Sequence, residues 1–177
     1  MFWSIETAYN GTLYRSRTEA RYALMFDRAF IEFQYEPEAF AFEEKGERYL
    51  PDFWVPEWDS FFEVKRDGFR LEPGDWNPER NRCELLMEAT EKEVFLAPGS
   101  PAPLLKLRRF QPYRLGFIEV DLSDMVPVNA IMTAKSHRFD WRKIRRDRPR
   151  PIFTGDGAIG DHAESLLKRL KPNGDGR

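Results

Sequence analysis

The chain has 177 residues, of which 41% are apolar and 33% charged. This size and composition suit one ordinary globular domain and exclude a disordered, collagen-like or coiled-coil protein. With one cysteine and two histidines, the chain cannot form an intrachain disulfide or a cysteine-based zinc site, and a Ser-His-Asp triad is disfavoured. No apolar run approaches the roughly 18–20 residues of a membrane span. We therefore expect a cytoplasmic protein that does not act at a membrane.

Charge is distributed unevenly along the chain, although the net charge is only −2. Residues 1–100 carry an excess of nine acidic groups, whereas residues 101–177 carry an excess of seven basic groups. The basic excess peaks in residues 138–150, which is typical of a surface that binds a phosphate backbone. The candidate nucleic-acid-binding residues are Arg138, Arg142, Lys143, Arg145, Arg146 and Arg148. A solvated charged face would have the same composition, so this alternative stays open.

The first half of the chain predicts one helix followed by three strands. Good helix formers, an apolar stripe that includes Phe30, and the absence of Gly and Pro predict a helix from Arg17 to Phe33, with Ser16 as its cap. Alternating apolar residues and turn signals then predict three strands, over residues 35–43, 48–55 and 60–66.

The next segment predicts a strand–helix–strand unit. Asn77-Pro78 is typical of a helix start, with Asn as the cap and Pro in the first turn. The apolar residues 94–97 follow this helix as a buried strand, which a right-handed crossover would place parallel to the 60–66 strand. The element order α-β-β-β-α-β favours one mixed β-sheet with helices on both faces. We place this core in residues 1–120.

Residues 121–177 are expected to form a basic C-terminal extension. A strand is predicted over 114–120, at the end of the core, and a linker over 149–160. A short amphipathic helix is predicted over 161–171, with apolar residues at helical spacing.

Charged residues on two of the predicted strands suggest a catalytic site. In a strand, Glu63 and Lys65 share one face, and Asp52 lies eleven residues before Glu63 at the end of an extended run. Buried charges cost several kcal/mol each unless they are paired or bind a metal. Hard oxygen ligands without cysteine or histidine favour Mg²⁺ or Mn²⁺. The reaction that suits this set is metal-assisted hydrolysis of a phosphodiester.

The sequence resembles the PD-(D/E)XK nuclease superfamily, whose members share the restriction-endonuclease-like fold. The resemblance rests on Ser16-Arg17-Thr18-Glu19-Ala20, Pro51-Asp52 and Glu63-Val64-Lys65, and covers roughly residues 11–100. Small phage- and transposon-type members are the most similar, because they combine an S-x-x-E-A helix with Y-E-P and Y-x-P-D-F, here at residues 35–37 and 49–53.

The resemblance implies a Mg²⁺- or Mn²⁺-dependent endonuclease that acts on DNA, as a homodimer or as a subunit of a larger DNA-processing complex. Asp52, Glu63 and the backbone carbonyl of Val64 would hold the metal. Lys65 would position or activate the attacking water, and Glu19 would complete the site directly or through water.

Several alternatives remain open at this level. Glu19 could act only as the far end of a capping box that reaches back to the Ser16 N–H, and Glu63 and Lys65 could form an ordinary ion pair. A catalytically silent member of the fold could bind DNA or a protein partner. A glycosidase would use paired carboxylates with tryptophans lining a sugar cleft, but the adjacent lysine and the basic cluster argue against it.

Overall fold

The computed structural model describes residues 4–42, 46–72 and 76–139, which form an α/β structure. Four helices and ten short strands make up this part of the chain. In chain order they are β1 (Thr7–Tyr9), β2 (Thr12–Tyr14), α1 (Arg17–Ala29), β3 (Gln34–Tyr35), β4 (Phe40–Phe42), β5 (Glu47–Tyr49), β6 (Phe53–Val55), β7 (Ser60–Val64), α2 (Pro78–Thr90), β8 (Glu93–Ala97), β9 (Lys106–Phe110), β10 (Phe117–Asp121), α3 (Leu122–Met125) and α4 (Val128–Ser136).

Six strands form one mixed sheet in the order β10-β9-β8-β7-β6-β3. β7 and β8 run parallel, and Glu63 lies beside Leu96 in their register. The four other neighbouring pairs are antiparallel. β1 with β2, and β4 with β5, form two separate antiparallel hairpins. The expected strand–helix–strand unit and the mixed sheet are confirmed.

Alternation along β7 divides the core between the two faces of the sheet. Phe62 and Val64 join the cluster that contains the buried face of α1, whereas Phe61 joins the cluster beneath α2. Burying a side chain of this size stabilises the fold by about 1.5–3 kcal/mol. Helices therefore cover both faces of the sheet, as the predicted order of the elements indicates.

The first helix is shorter than expected, because α1 ends at Ala29 rather than at Phe33. Phe30 adopts a left-handed conformation with φ 59°, and the N–H of Ile31 closes the helix on the Phe26 carbonyl. We expected Phe30 to continue the buried stripe, but its side chain is 93% exposed.

Two of the three long strands predicted in the first half are each divided into two shorter ones. Glu36 has φ 48° and separates β3 from β4, and residues 50–52 separate β5 from β6. Pro37 and Pro51 contribute to both breaks, since proline cannot donate a ladder hydrogen bond. The third predicted strand and the second helix are found close to the expected bounds, with Asn77 as the cap of α2.

The packed body extends past residue 120. Leu122 on α3, and Ala130, Ile131 and Ala134 on α4, are buried in the same cluster as α1. The predicted linker and terminal helix at residues 149–171 lie outside the described residues. No helix in the described ranges has both the length and the apolarity that a membrane crossing requires.

Candidate active site

Asp52 and Glu63 meet where β6 begins and β7 ends. Phe53 pairs with Phe62 in the antiparallel register, so the preceding Asp52 lies beside Glu63. The Asp52 N–H donates to Glu63 Oε2 at 3.3 Å, and the Val64 N–H donates to Asp52 Oδ2 at 2.7 Å. Both residues are buried, each with only 4% of its surface exposed. Strand pairing therefore brings together the two acids that are eleven residues apart in the sequence.

Glu19 enters the same region from the first turn of α1. Its Oε2 accepts hydrogen bonds from the Tyr35 hydroxyl at 2.6 Å and from the Arg15 N–H at 3.1 Å. Ser16 Oγ accepts from the Glu19 N–H, which is half of a capping box. The Glu19 carboxylate accepts from the N–H of Arg15 rather than from that of Ser16, so the capping box is incomplete. The start of the helix nevertheless fixes the orientation of the Glu19 carboxylate.

Lys65 lies between two carboxylates. Its Nζ is 2.6 Å from Glu63 Oε1 and also contacts the carboxylate of Glu79 in the first turn of α2. Burial alone would lower the pKa of Lys65, but Glu63 and Glu79 outweigh burial and raise the pKa above its ordinary value. Lys65 is therefore an ammonium ion at neutral pH, suited to orienting a water or stabilising negative charge rather than to accepting a proton.

Arg15 supplies the second cation of the site. Its Nη2 is 2.9 Å from Asp52 Oδ1, and its Nε is 2.7 Å from Glu36 Oε1. Desolvation would lower the pKa of Arg15, but Asp52 and Glu36 outweigh it and raise the pKa. The guanidinium is thus a permanent positive charge directly against Asp52.

A common pattern unites Glu19, Asp52 and Glu63. One oxygen of each is fixed by uncharged donors, which are backbone N–H groups or the hydroxyls of Tyr35 and Tyr49. The other oxygen of Asp52 and of Glu63 contacts a cation, whereas Glu19 Oε1 accepts no hydrogen bond from the described residues. Each carboxylate is therefore held in place by one oxygen and leaves the other for a positive charge.

The site carries an excess of negative charge. Burial raises the pKa of Asp52 well above its ordinary value of 3.8, and the neighbouring Glu63 and Glu19 raise that pKa further. The Val64 N–H and Arg15 oppose this shift without cancelling it. Six carboxylates share three cations here, namely Glu19, Glu36, Glu47, Asp52, Glu63 and Glu79 with Arg15, Lys65 and Arg82. Like charges held this close together favour binding of an additional cation.

The donor set suits a hard divalent cation, since its ligands would all be oxygens. Within residues 4–42, 46–72 and 76–139, however, no group of three or more Asp, Glu, His and Cys side chains is arranged to hold a metal ion. Lys65 and Arg15 already contact the oxygens of Glu63 and Asp52 that backbone and tyrosine donors leave free. A metal at Asp52 therefore requires an exchange of cations.

Arg15, Tyr35, Tyr49 and Glu79 are parts of the site that sequence reasoning missed. Tyr49 is buried and donates to Glu63 Oε2 at 2.6 Å, and burial, together with Glu63, raises the pKa of this hydroxyl well above its ordinary value. Two signals were available in the sequence. The tyrosines belong to the Y-E-P and Y-x-P-D-F motifs, and Glu79 occupies the first turn of a helix that follows the Lys65 strand.

The predicted nucleic-acid-binding residues lie mostly beyond this part of the chain. Arg138 is exposed just after α4. Arg142, Lys143, Arg145, Arg146 and Arg148 lie outside the described residues. Val64 lies in β7, where its N–H binds Asp52.

Comparison of the chain with family models, curated proteins and solved structures found no match.

Proposed function

We propose that the protein is a Mg²⁺- or Mn²⁺-dependent endonuclease that hydrolyses phosphodiester bonds in DNA. The observation that carries this proposal is the convergence of Glu19, Asp52 and Glu63 with the Lys65 ammonium at one end of the sheet. An ordinary surface ion pair would not explain why three carboxylates are buried together with excess negative charge.

The residues would divide the chemistry among them. Asp52 and Glu63 would hold the metal, with the Val64 carbonyl as a backbone ligand and Glu19 completing the site. When bound, the cation would stabilise the negative charge that develops on the phosphoryl group. Lys65 would donate hydrogen bonds that orient the attacking water and stabilise the same charge.

The sheet supports the restriction-endonuclease-like fold as part of this proposal. Four adjacent strands of the sheet follow one another in the order of the chain, namely β3, β6, β7 and β8. α1 precedes them, and α2 connects β7 to β8. This is the α-β-β-β-α-β order that the sequence motifs imply, with the β4–β5 hairpin inserted after β3. We further propose that the protein acts on DNA in the cytoplasm, as a homodimer or within a larger DNA-processing complex. Residues 138–150 would bind DNA phosphates outside the active site.

The test is a cleavage assay on supercoiled plasmid and on branched DNA. We expect nicking or cutting with Mg²⁺ or Mn²⁺ and none with EDTA. Asp52→Asn and Lys65→Met should each lower the rate by at least about 100-fold while leaving most of the DNA affinity. Lys92→Met is the matched control, because Lys92 pairs with Asp59 on the surface. Equal rates for Lys65→Met and Lys92→Met would contradict the proposal.

A catalytically silent module of the same fold is the second candidate. It is favoured by the ion pairs that already contact Asp52 and Glu63, and by the lack of a preformed metal cluster in the described ranges. Salt-sensitive DNA binding without metal-dependent cleavage of single-stranded, duplex or branched substrates would support it.

A further inference from the structure

Arg15 reaches the site in an unusual way. Its N–H donates to Glu19 Oε2 at 3.1 Å and to the Tyr35 hydroxyl at 3.0 Å, which fixes its backbone beside the cluster. Its guanidinium bridges Glu36 and Asp52, yet the side chain is 52% exposed. An anchored backbone thus carries a side chain that contacts a buried carboxylate from the solvent side.

The two oxygens of Asp52 are not equivalent. Oδ2 accepts from the Val64 N–H inside the sheet, whereas Oδ1 accepts from Arg15 Nη2 at 2.9 Å. A divalent cation that ligates Oδ1 would lie within a few ångströms of the guanidinium. Charges at such short range repel strongly where water is partly excluded, so the two cations compete for Oδ1.

Of the two cations that contact Asp52 and Glu63, Arg15 is the one that can leave. The Lys65 side chain is only 18% exposed and is held by Glu63 and by Glu79. The Arg15 side chain is half in solvent, so withdrawing it from Asp52 requires little desolvation or repacking. Its planar guanidinium would then be free to form two parallel hydrogen bonds with a phosphate.

We infer that Arg15 is a built-in counter-ion for Asp52 that a divalent cation displaces, and that the released guanidinium binds a phosphate of the DNA substrate. This inference rests on the proposed nuclease function and adds a residue that couples metal binding to substrate binding. Metal and DNA should therefore bind cooperatively through Arg15.

The first test measures Mn²⁺ binding by titration calorimetry without DNA. Arg15→Gln removes the competing charge and keeps the backbone N–H that binds Glu19. We expect it to bind Mn²⁺ about 5–10-fold more tightly than the wild type, because competition at Asp52 is lost. Arg17→Gln is the control, since Arg17 is an exposed arginine in the same helix start, and it should change the affinity less than twofold.

The second test measures DNA binding with and without Ca²⁺, as a cation that supports binding in place of Mn²⁺. Ca²⁺ should strengthen the binding of duplex DNA by the wild type and by Arg17→Gln. The Ca²⁺ enhancement should be several-fold smaller for Arg15→Gln. Should Arg15→Gln fail to fold, Arg15→Lys keeps the charge but cannot bridge Glu36 and Asp52 in the same way. Compared with Arg15→Gln, Arg15→Lys should show a smaller gain in Mn²⁺ affinity. It should lose the Ca²⁺ enhancement of DNA binding to the same extent.

The outcomes separate this inference from the proposed function. Unchanged or weaker Mn²⁺ binding by Arg15→Gln, with the wild type binding Mn²⁺ and cutting DNA, would overturn the role of Arg15 and leave the nuclease proposal intact. Equal Ca²⁺ enhancement of DNA binding in Arg15→Gln and Arg17→Gln would overturn the phosphate contact. No Mn²⁺ binding by any of the proteins would overturn both proposals.

Discussion

Asp52→Asn should change how the stability of the metal-free protein depends on pH. Burial, and then the charges of Glu63 and Glu19, raise the pKa of Asp52 above its ordinary value of 3.8. The folded protein therefore keeps this proton to a higher pH than the unfolded chain does. Asparagine has nearly the same shape and can still accept the Val64 N–H, but it carries no charge and does not titrate.

The sign of the effect follows from proton linkage. Where the folded state binds more protons than the unfolded state, the free energy of unfolding falls as the pH rises. The contribution of Asp52 is thus fully present below the unfolded-state pKa and is lost as the pH rises through the higher folded-state pKa. One proton sets a maximum slope of about 1.4 kcal/mol per pH unit.

The assay is urea unfolding, followed by tryptophan fluorescence at constant ionic strength in EDTA, between pH 5 and pH 8.5. The free energy of unfolding of the wild type should fall as the pH rises. The slope of this fall should be smaller for Asp52→Asn, by up to the value that one proton contributes. Above the folded-state pKa, the variant should exceed the wild type in stability. Asp124→Asn is the control, because Asp124 is an exposed aspartate on α3. Adding Mn²⁺ at pH 8 should stabilise the wild type but not Asp52→Asn.

Parallel pH profiles for the wild type and Asp52→Asn would refute this reasoning. They would mean that Asp52 titrates alike in the folded and unfolded states, and the excess negative charge at the site would then have no energetic consequence. A profile that rises with pH in the wild type and flattens in Asp52→Asn would reverse the sign and refute it equally.

Two further substitutions test how the site is held. Glu79→Gln should lower the cleavage rate about 5–10-fold, because Lys65 loses one of its two carboxylate partners. Glu84→Gln, on the same helix, is the control and should leave the cleavage rate unchanged. Equal cleavage rates for the two variants would show that Glu79 is not part of the site. Tyr49→Phe deletes the buried hydroxyl that donates to Glu63 and should lower the free energy of unfolding by about 1.5–3 kcal/mol, measured by urea unfolding; a loss below 0.5 kcal/mol would show that this hydrogen bond contributes little.

The sequence predicts those parts of the fold that depend on local pattern. The Asn77-Pro78 start of α2 follows from capping chemistry. The strand predicted over 94–97, found at Glu93–Ala97, follows from an uninterrupted apolar run over 94–97. β9 was missed because its sequence Lys106–Phe110 is mainly basic, and its place in the sheet comes from pairing with β8 and β10. α4 was missed because it is short and has no side-chain cap. Its buried residues are Ala130, Ile131 and Ala134, and only packing against α1 makes them part of the core.

The candidate site likewise combines features that the local sequence predicts with contacts that depend on packing. The alternation of Glu63 with Phe62 and Val64 is a property of one strand, so it can be predicted from local sequence. The hydrogen bond from Tyr49 to Glu63, and the contact of Arg15 with Asp52, join residues that are 14 and 37 positions apart. Such contacts depend on how the elements pack, and spacing along the chain does not specify them.

A crystal soaked in Mn²⁺ and measured for anomalous scattering tests the central claim most directly. We expect one peak in contact with the carboxylates of Asp52 and Glu63, with the Arg15 guanidinium withdrawn from Asp52. Ordered protein with Arg15 still on Asp52, and no anomalous peak between the two carboxylates at saturating Mn²⁺, would contradict the claim that these acids form a site for a hard cation.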